Sequence, residues 1–447
     1  RSNPLQAVYQ WPHVDIALLE DYWVPGLEGI QQATPGGEDN PYFIVHGVKN
    51  SFFRDRLYGN AALKYNFTDE LSLQVRGNLD RFSENRETKV PFSADRMQRG
   101  NYTIQNLTFQ EVNADFLLAY NKKLTNWDFN VSFGGNIMTQ QGTNHRTSSA
   151  DRRDGLVIPG LYSVNNIPPD KLNVSNSGYE RAIYSLYGLA SIGYAGQLYL
   201  DVTARNDWSS TLPAESRSYF YPSASLSWLA NYTFDLPETV SLLKFRGGWA
   251  QVGNDTNPYQ LAPVLGLGSW NTLPALGVPG TLLNPNLQPE ENTSIEGGVD
   301  LALFSNRVRF SATYYNMDNV NQIFDVAMPR SSGYAGRKTN AGRINSQGVE
   351  ITLGFTPIQN SNGLTWDVDL NFTRNVTTLQ ELPEGGRDYI QIWGDNGGAY
   401  TWIGEEIGNM YSYGYAKVQD PNSPYYQWPI LEDGGWIAFR DIDNLEK

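Results

Sequence analysis

The chain has 447 residues, 40% of them hydrophobic and 18% charged, which excludes a disordered polypeptide and a single small domain. A net charge of −14 argues against nucleic acid as a partner, because phosphate binding needs a basic patch and the sequence shows none. The absence of cysteine removes disulfides, thiolate metal sites and cysteine nucleophiles together.

Residues 1–53 read as a loop-rich entry segment, with Trp11-Pro12 and a short helix expected around Ile16 to Tyr22. Alternation of apolar and polar residues begins near Arg54. A strand from Arg56 to Phe67 turns at Thr68-Asp69-Glu70 into a second strand, Leu71 to Arg81. There Leu71, Leu73, Val75 and Leu79 oppose Ser72, Gln74, Arg76 and Asp80. A polar loop is expected from there to about Gln105. Asn106 to Lys122 and Trp127 to Gln140 form the next pair, followed by a long loop to Ser177. Tyr179 to Tyr194 and Gln197 to Asp207 pair through Ala195-Gly196. Tyr219 to Ala230 leads through a linker to Leu243 to Val252, and Asp235 to Glu238 in that linker reads as one helical turn.

The clearest hairpin comes next. Thr293 to Phe304 places Ile295, Val299, Leu301 and Leu303 on one face and Ser294, Glu296, Asp300 and Ala302 on the other. After a turn at Ser305-Asn306, the strand Arg307 to Asn316 sets Val308, Phe310 and Tyr314 against Arg307, Arg309 and Ser311. A loop then leads to Gln347 to Pro357 and Leu364 to Asn375. Beyond Thr377 the chain is mostly Gly, Pro, Asp and aromatics, with one further strand expected around Met410 to Val418.

These elements amount to roughly twelve strands in six hairpins, each near the ~9–11 residues that cross a bilayer at a tilt. Short turns fall at one end of the sheet and long loops at the other, as in transmembrane β-barrels. The fold class expected is all-β: an antiparallel transmembrane β-barrel segment with short periplasmic turns and long extracellular loops. Glu296, Asp300 and Arg309 would then face the lumen, with Arg76 and Asp201. The same pattern would also serve a soluble antiparallel sheet whose polar face is its solvent face. The sequence contains no apolar run long enough for a transmembrane helix.

Little in the sequence resembles a catalytic or metal site. His13, His46 and His145 are far apart and lack ligand spacing, and no nucleophile elbow, zinc-binding helix or phosphate loop occurs. Asp441-Ile-Asp443-Asn444 only faintly suggests a calcium turn, since the glycine and distal Glu are missing. Neither a catalytic residue, a metal nor a cofactor is therefore assigned. The long-loop side is rich in aromatics beside amides and acids, and Trp208, Tyr259, Trp270, Trp393, Trp402 and Trp428 are the candidates for stacking on a sugar or peptide.

Several segments resemble SusC-like TonB-dependent outer-membrane transporters of Bacteroidetes. They are Arg54 to Asn60 (RDRLYGN), Ala204 to Pro213 (ARNDWSSTLP), Arg217 to Ser223 (RSYFYPS), Leu243 to Asp255 (LKFRGGWAQVGND), Asn284 to Glu290 (NPNLQPE) and Gln347 to Glu350 (QGVE). The resemblance implies a roughly 22-stranded barrel occluded by a plug. It also implies TonB-powered import of glycan oligosaccharides or oligopeptides, a SusD-like surface lipoprotein as lid, and often a dimer of such pairs. Against that pattern the chain reads as the middle barrel portion of a longer protein. The plug and TonB box are expected outside it, 54–378 carry the strands, and 379–447 form a long extracellular loop region with the barrel continuing beyond. The alternative from another class is a soluble carbohydrate-binding or glycan-degrading β-protein using the same loop aromatics with a carboxylate pair.

Overall fold

A computed structural model of the chain describes residues 14–430 except 35–36, 150–154, 271–272, 361–362, 384–387, 394–396, 413–416, 419 and 429, together with Pro4, Leu5 and Val8. Its strands in chain order are β1 (Lys49–Asn66), β2 (Leu71–Ala94), β3 (Met97–Lys123), β4 (Trp127–Ser149), β5 (Leu172–Tyr194), β6 (Leu198–Ser209), β7 (Ser218–Leu229) and β8 (Val240–Asn254). β9 (Gly266–Trp270), β10 (Leu273–Gly277) and β11 (Thr281–Leu282) follow, then β12 (Glu290–Leu303), β13 (Val308–Val320), β14 (Ile323–Ala327) and β15 (Gly336–Asn340). The last are β16 (Arg343–Gln359), β17 (Thr365–Glu381), β18 (Tyr389–Trp393), β19 (Gly397–Trp402) and β20 (Met410–Ser412). Twelve of them form one sheet in the order β1-β2-β3-β4-β5-β6-β7-β8-β12-β13-β16-β17. The remainder build small sheets within the connections: β9 with β10, β11 with β14 and β15, and β18 with β19 and β20.

All twelve expected membrane strands are present, and most are longer than expected. The polar loop expected between Arg81 and Gln105 is instead a continuation of β2 and β3, closed by a two-residue turn at Asp95-Arg96. The reason is physical. Beyond the bilayer a strand has no lipid face to keep apolar, so hydrophobic alternation fades while backbone pairing continues. The helical turn expected at Asp235 to Glu238 lies earlier, at Ala230–Tyr232, where Thr233 and Phe234 both donate to the Ala230 carbonyl at 3.0 Å. Pro237 has no N–H to donate and cannot close such a turn itself. The N-terminal helix is a single 3-10 turn, Ile16–Leu19, capped by Asp15. The strand expected at Met410 is described only to Ser412.

The chain divides into two compact units. The first comprises 1–63, 75–115 and 136–182; the second comprises 64–74, 116–135 and 183–447. In the first, the segment before β1 is pinned to the β2–β3 hairpin. Buried Phe43 and Ile44 pack with Val90 and Ala94. Buried Asn40 donates to the carbonyls of Leu19 and Ala33 at 2.9 and 2.8 Å and accepts from the Tyr42 N–H at 2.9 Å.

In the second unit the ladders bring residues of one kind into rows. Tyr194, Leu198, Trp228, Phe245, Val299, Ala312, Ile351 and Phe372 are successive register partners from β5 to β17. Ser191, Asp201, Ser225, Gly248, Glu296, Tyr315, Gly348 and Asn375 form the corresponding row on the opposite face. The apolar row is bare of protein cover, with Phe245 at 43% and Phe372 at 57% exposure. A soluble sheet would leave that continuous row in water, whereas a barrel wall presents it to lipid. At the periplasmic end Ala195 and Gly196 both take positive φ (52° and 69°), the two-residue turn whose twist suits a hairpin. At the same end, Phe304, Ser305 and Asn306 are all left-handed (55°, 54° and 67°), and the Arg307 N–H donates to the Phe304 carbonyl at 3.3 Å, closing a tight turn around Ser305-Asn306.

Candidate functional site: the lumenal wall and extracellular loops

The polar face of the second unit is a set of connected charges. Asp300 accepts from Ser311 Oγ at 2.6 Å and pairs with Arg246 at 3.4 Å, while Arg246 Nη2 donates to Thr313 at 2.6 Å. A neighbouring group joins Arg309 to Thr356 and Asp369, each at 3.1 Å, and Thr356 donates to Asp367 at 2.6 Å. Glycines make room for this layer. A Cβ on Gly248 would lie 3.2 Å from Glu296 Cγ, and one on Gly298 would lie 2.8 Å from Arg246 Cζ. Long polar side chains therefore lie flat along the sheet. Glu296, Asp300 and Arg309 share the polar face with these partners. Such a wall is wettable and charged, with Asp300 and Arg246, and Arg309 and Asp369, as ion pairs.

On the first unit the same face carries Glu84, buried and held between Arg54 and Arg86. Arg54 also stands 4.6 Å from the Phe82 ring centroid, and Phe82 stacks on Phe109 at 5.2 Å. Arg56 forms a two-pronged pair with Asp80 at 2.8 and 2.7 Å, and Arg76 reaches Asp115 at 2.8 Å. Apart from Arg86 and Glu84, which share β2, these pairs come from separate strands, and sequence alternation places each partner on the right face without showing which meets which.

The extracellular end of the second unit is tied by carboxylates. Buried Asp255, just past β8, accepts from Ser209 and Thr211, both buried at the end of β6. Asp207 of β6 takes hydrogen bonds from Tyr221 and from Arg205 Nε, the latter at 2.8 Å. Polar residues of ARNDWSSTLP and of the end of LKFRGGWAQVGND thus bind one another at the loop roots.

The six loop aromatics are not gathered into one surface. Trp208 lies on strand β6, opposite Tyr184 and Ser218, on the face of Leu200 and Val202 and not that of Asp207. Tyr259 is 62% exposed in the loop after β8. Trp270 ends β9, with its backbone paired to Leu273. Trp393 and Trp402 share the β18–β19 ladder, where Trp402 pairs with Tyr389 and Trp393 with Ala399. Trp402 is partly buried against Tyr389, Tyr400 and Tyr411, with the Tyr411 centroid 4.7 Å away, so it serves the packing of that small sheet. Trp428 packs edge-on against Tyr425 at 5.6 Å and is otherwise exposed. Beneath the small sheet Tyr411 donates to Glu405 at 2.6 Å; burial, with that carboxylate added, pushes its pKa up to about 12. Among the described residues no group of three His, Asp or Glu side chains is placed to hold a metal. Asp441, Asp443 and His13 lie outside the described residues.

Comparison with known proteins places this wall. The family described as TonB dependent receptor-like, beta-barrel, matches residues 5–440. The chain belongs to that family. Two curated relatives from Formosa agariphila are similar to it: TonB-dependent receptor P3, 26% identical over 430 residues covering 91% of this chain and 42% of the relative, and TonB-dependent receptor P26, 23% identical over 85% of this chain and 39% of the relative. The chain thus spans about two fifths of the length of these relatives. Among solved structures, that of the RagAB peptide transporter superposes with a TM-score of 0.73 at 20% identity, covering 88% of this chain and 44% of the other. The RagAB peptide importer in its open-open state gives 0.73 at 19% identity, over 94% and 46%. The SusC-like resemblance and the barrel fold expected from the sequence are met. As a member of this family the chain is an outer-membrane β-barrel segment.

Proposed function

We propose that this chain forms part of the wall of a TonB-dependent importer for short oligomers, either glycan oligosaccharides or oligopeptides, working beneath a SusD-like surface lipoprotein. The observation that carries the reading is the two-faced sheet: an apolar row running across eight strands, backed by a polar face that holds the Arg246–Asp300 and Arg309–Asp369 pairs. A charged inner wall suits a lumen that holds a polar plug and passes polar cargo. Tyr259, Trp270, Trp393 and Trp428 in the outer loops supply flat faces for sugar or peptide capture, whereas Trp402 is taken up by the packing of its small sheet and Trp208 lies on the apolar face of β6. Cargo is captured outside and closed over by the lipoprotein, and energy delivered through TonB displaces the plug. Covalent chemistry has no part in this sequence of events. Dimers of the transporter–lipoprotein pair are the assembly expected.

The test is uptake by cells carrying the full-length transporter with its lipoprotein, offered fluorescent oligosaccharides and oligopeptides. Uptake should collapse on deleting TonB or adding a protonophore. Uptake that persists under both treatments would sink the reading. Which cargo class enters decides between glycan and peptide.

A further inference from the structure

The first unit holds a recess that the lumenal charge pairing leaves unbalanced. It encloses about 740 Å³ at the membrane-distal ends of β2, β3 and β4, a size that ordinary ligand pockets share. Among the described residues two cations line it, Arg96 at the β2–β3 turn and Arg146 on β4, and no acid does. Both guanidiniums are exposed, and among the described residues neither has a hydrogen-bond or ion-pair partner. Elsewhere on this unit's polar face the arginines are matched: Arg54 and Arg86 to Glu84, Arg56 to Asp80, Arg76 to Asp115. In a chain of net charge −14, two arginines unmatched among the described residues and facing one recess are a local reversal of sign.

The remaining polar lining is pre-ordered. Thr88 donates to Asn50 Oδ1 at 2.8 Å, which turns the Asn50 amide nitrogen outward as a donor. Gln105 is held by Asn144 at 2.9 Å, and Asn101 is held by Ser149. Val48, Val90 and Met97 supply apolar wall. Guanidinium forks beside fixed amides bind carboxylates in two-pronged fashion, and an apolar wall carries the body of the molecule that bears them.

We infer that this recess selects anionic cargo: a short oligomer bearing carboxylates, recognised by Arg96 and Arg146. The inference rests on the importer reading above and adds the charge class of what is imported. Oligouronates and acidic peptides share that chemistry and are separated by the assay.

The experiment is titration calorimetry on the purified full-length transporter with four ligands: tetragalacturonate, a blocked tetraglutamate peptide, and their neutral counterparts maltotetraose and a blocked tetraglutamine peptide. At least one anionic ligand should bind more tightly than its neutral counterpart, with affinity falling as salt rises. The Arg96→Gln/Arg146→Gln double variant should bind it at least about tenfold more weakly, and lysines at both positions should restore part of the loss. Both side chains are exposed and unbonded, so the barrel should stay folded, which its heat-modifiable migration on gels will show. Equal binding of anionic and neutral ligands, no binding of either anionic ligand, or unchanged affinity in the double variant would each overturn the inference. Binding is read without TonB, so loss of energised uptake with recess binding intact would count against the importer reading alone.

Discussion

Arg309 Nη2 on β13 reaches Asp369 Oδ1 on β17 at 3.1 Å, passing over the intervening strand β16 at Gly354. The bridge exists because Gly354 has no side chain: a Cβ there would lie 2.7 Å from the Asp369 oxygen and 2.8 Å from Arg309 Nη2. Gly354→Leu should therefore abolish the coupling between Arg309 and Asp369. For an exposed pair that coupling is about 0.2–1 kcal/mol. A double-mutant cycle with Arg309→Gln and Asp369→Asn, read by guanidinium titration in lipid vesicles, checks it. Coupling that survives the leucine would show that the pair does not depend on the glycine gap.

Gly155→Ala should behave differently from Gly354→Ala. At Gly155 the added carbon would press on the backbone carbonyls of Arg99 and Gly100, and the neighbouring Leu156 N–H donates to the Arg99 carbonyl at 2.8 Å. Backbone cannot swing aside as the tip of an arginine can. The substitution should cost about 1–3 kcal/mol of local packing, whereas Gly354→Ala should cost under about 1 kcal/mol. Tryptic cleavage at Lys171, in the loop that Gly155 anchors, should accelerate in the first variant and stay unchanged in the second.

How far the sequence speaks for this fold depends on what each stretch faces. Where strands cross lipid, one side must be apolar, so Val299 and Asp300 announce their faces by type alone. Beyond the bilayer that constraint ends. Glu84 to Thr88 have no lipid to signal, and their strand reads as loop although they are fully paired. The small extracellular sheets are hidden for a related reason: β9 and β10 are the five-residue strands GLGSW and LPALG, whose pairing is set by the loop and not by alternation. That Glu296, Asp300 and Arg309 share one polar face follows from period two. Their partners do not, because Arg309 skips a strand to find Asp369. Trp402 is a case where residue type misleads: an aromatic in an acidic loop suggests cargo contact, yet it packs with Tyr389, Tyr400 and Tyr411.

Tyr411 provides a pH signature. Its pKa is raised from the ordinary 10 to about 12 by burial and by the Glu405 carboxylate that its hydroxyl donates to. The folded sheet favours the neutral phenol, so this contribution to stability is complete below about pH 10. It is lost as pH rises through about 12. A phenolate absorbance titration, taken as the difference between the protein and its Tyr411→Phe variant, should show a midpoint near 12. A midpoint near 10 would mean that the small sheet leaves Tyr411 in water.

The two faces of the β12–β13 hairpin should respond to charge in opposite ways. Val299 is flanked in register by Phe245 and Ala312 within the lipid-facing row, so Val299→Lys places an ammonium in hydrocarbon. Near the bilayer midplane this should cost about 2–4 kcal/mol. On the polar face Ser311 is an unsuitable control, because it donates to Asp300 and lies within reach of Arg246. Asn371 is the better one: it is exposed on that face and accepts only from Thr352 among the described residues, at 3.0 Å. Asn371→Lys gains a water-filled lumen and should change stability by less than about 1 kcal/mol. Unfolding titrations of the two variants of the full-length protein in lipid vesicles make the comparison. Equal tolerance at Val299 and Asn371 would mean that the apolar row does not face lipid, and the barrel assignment of this wall would fall with it.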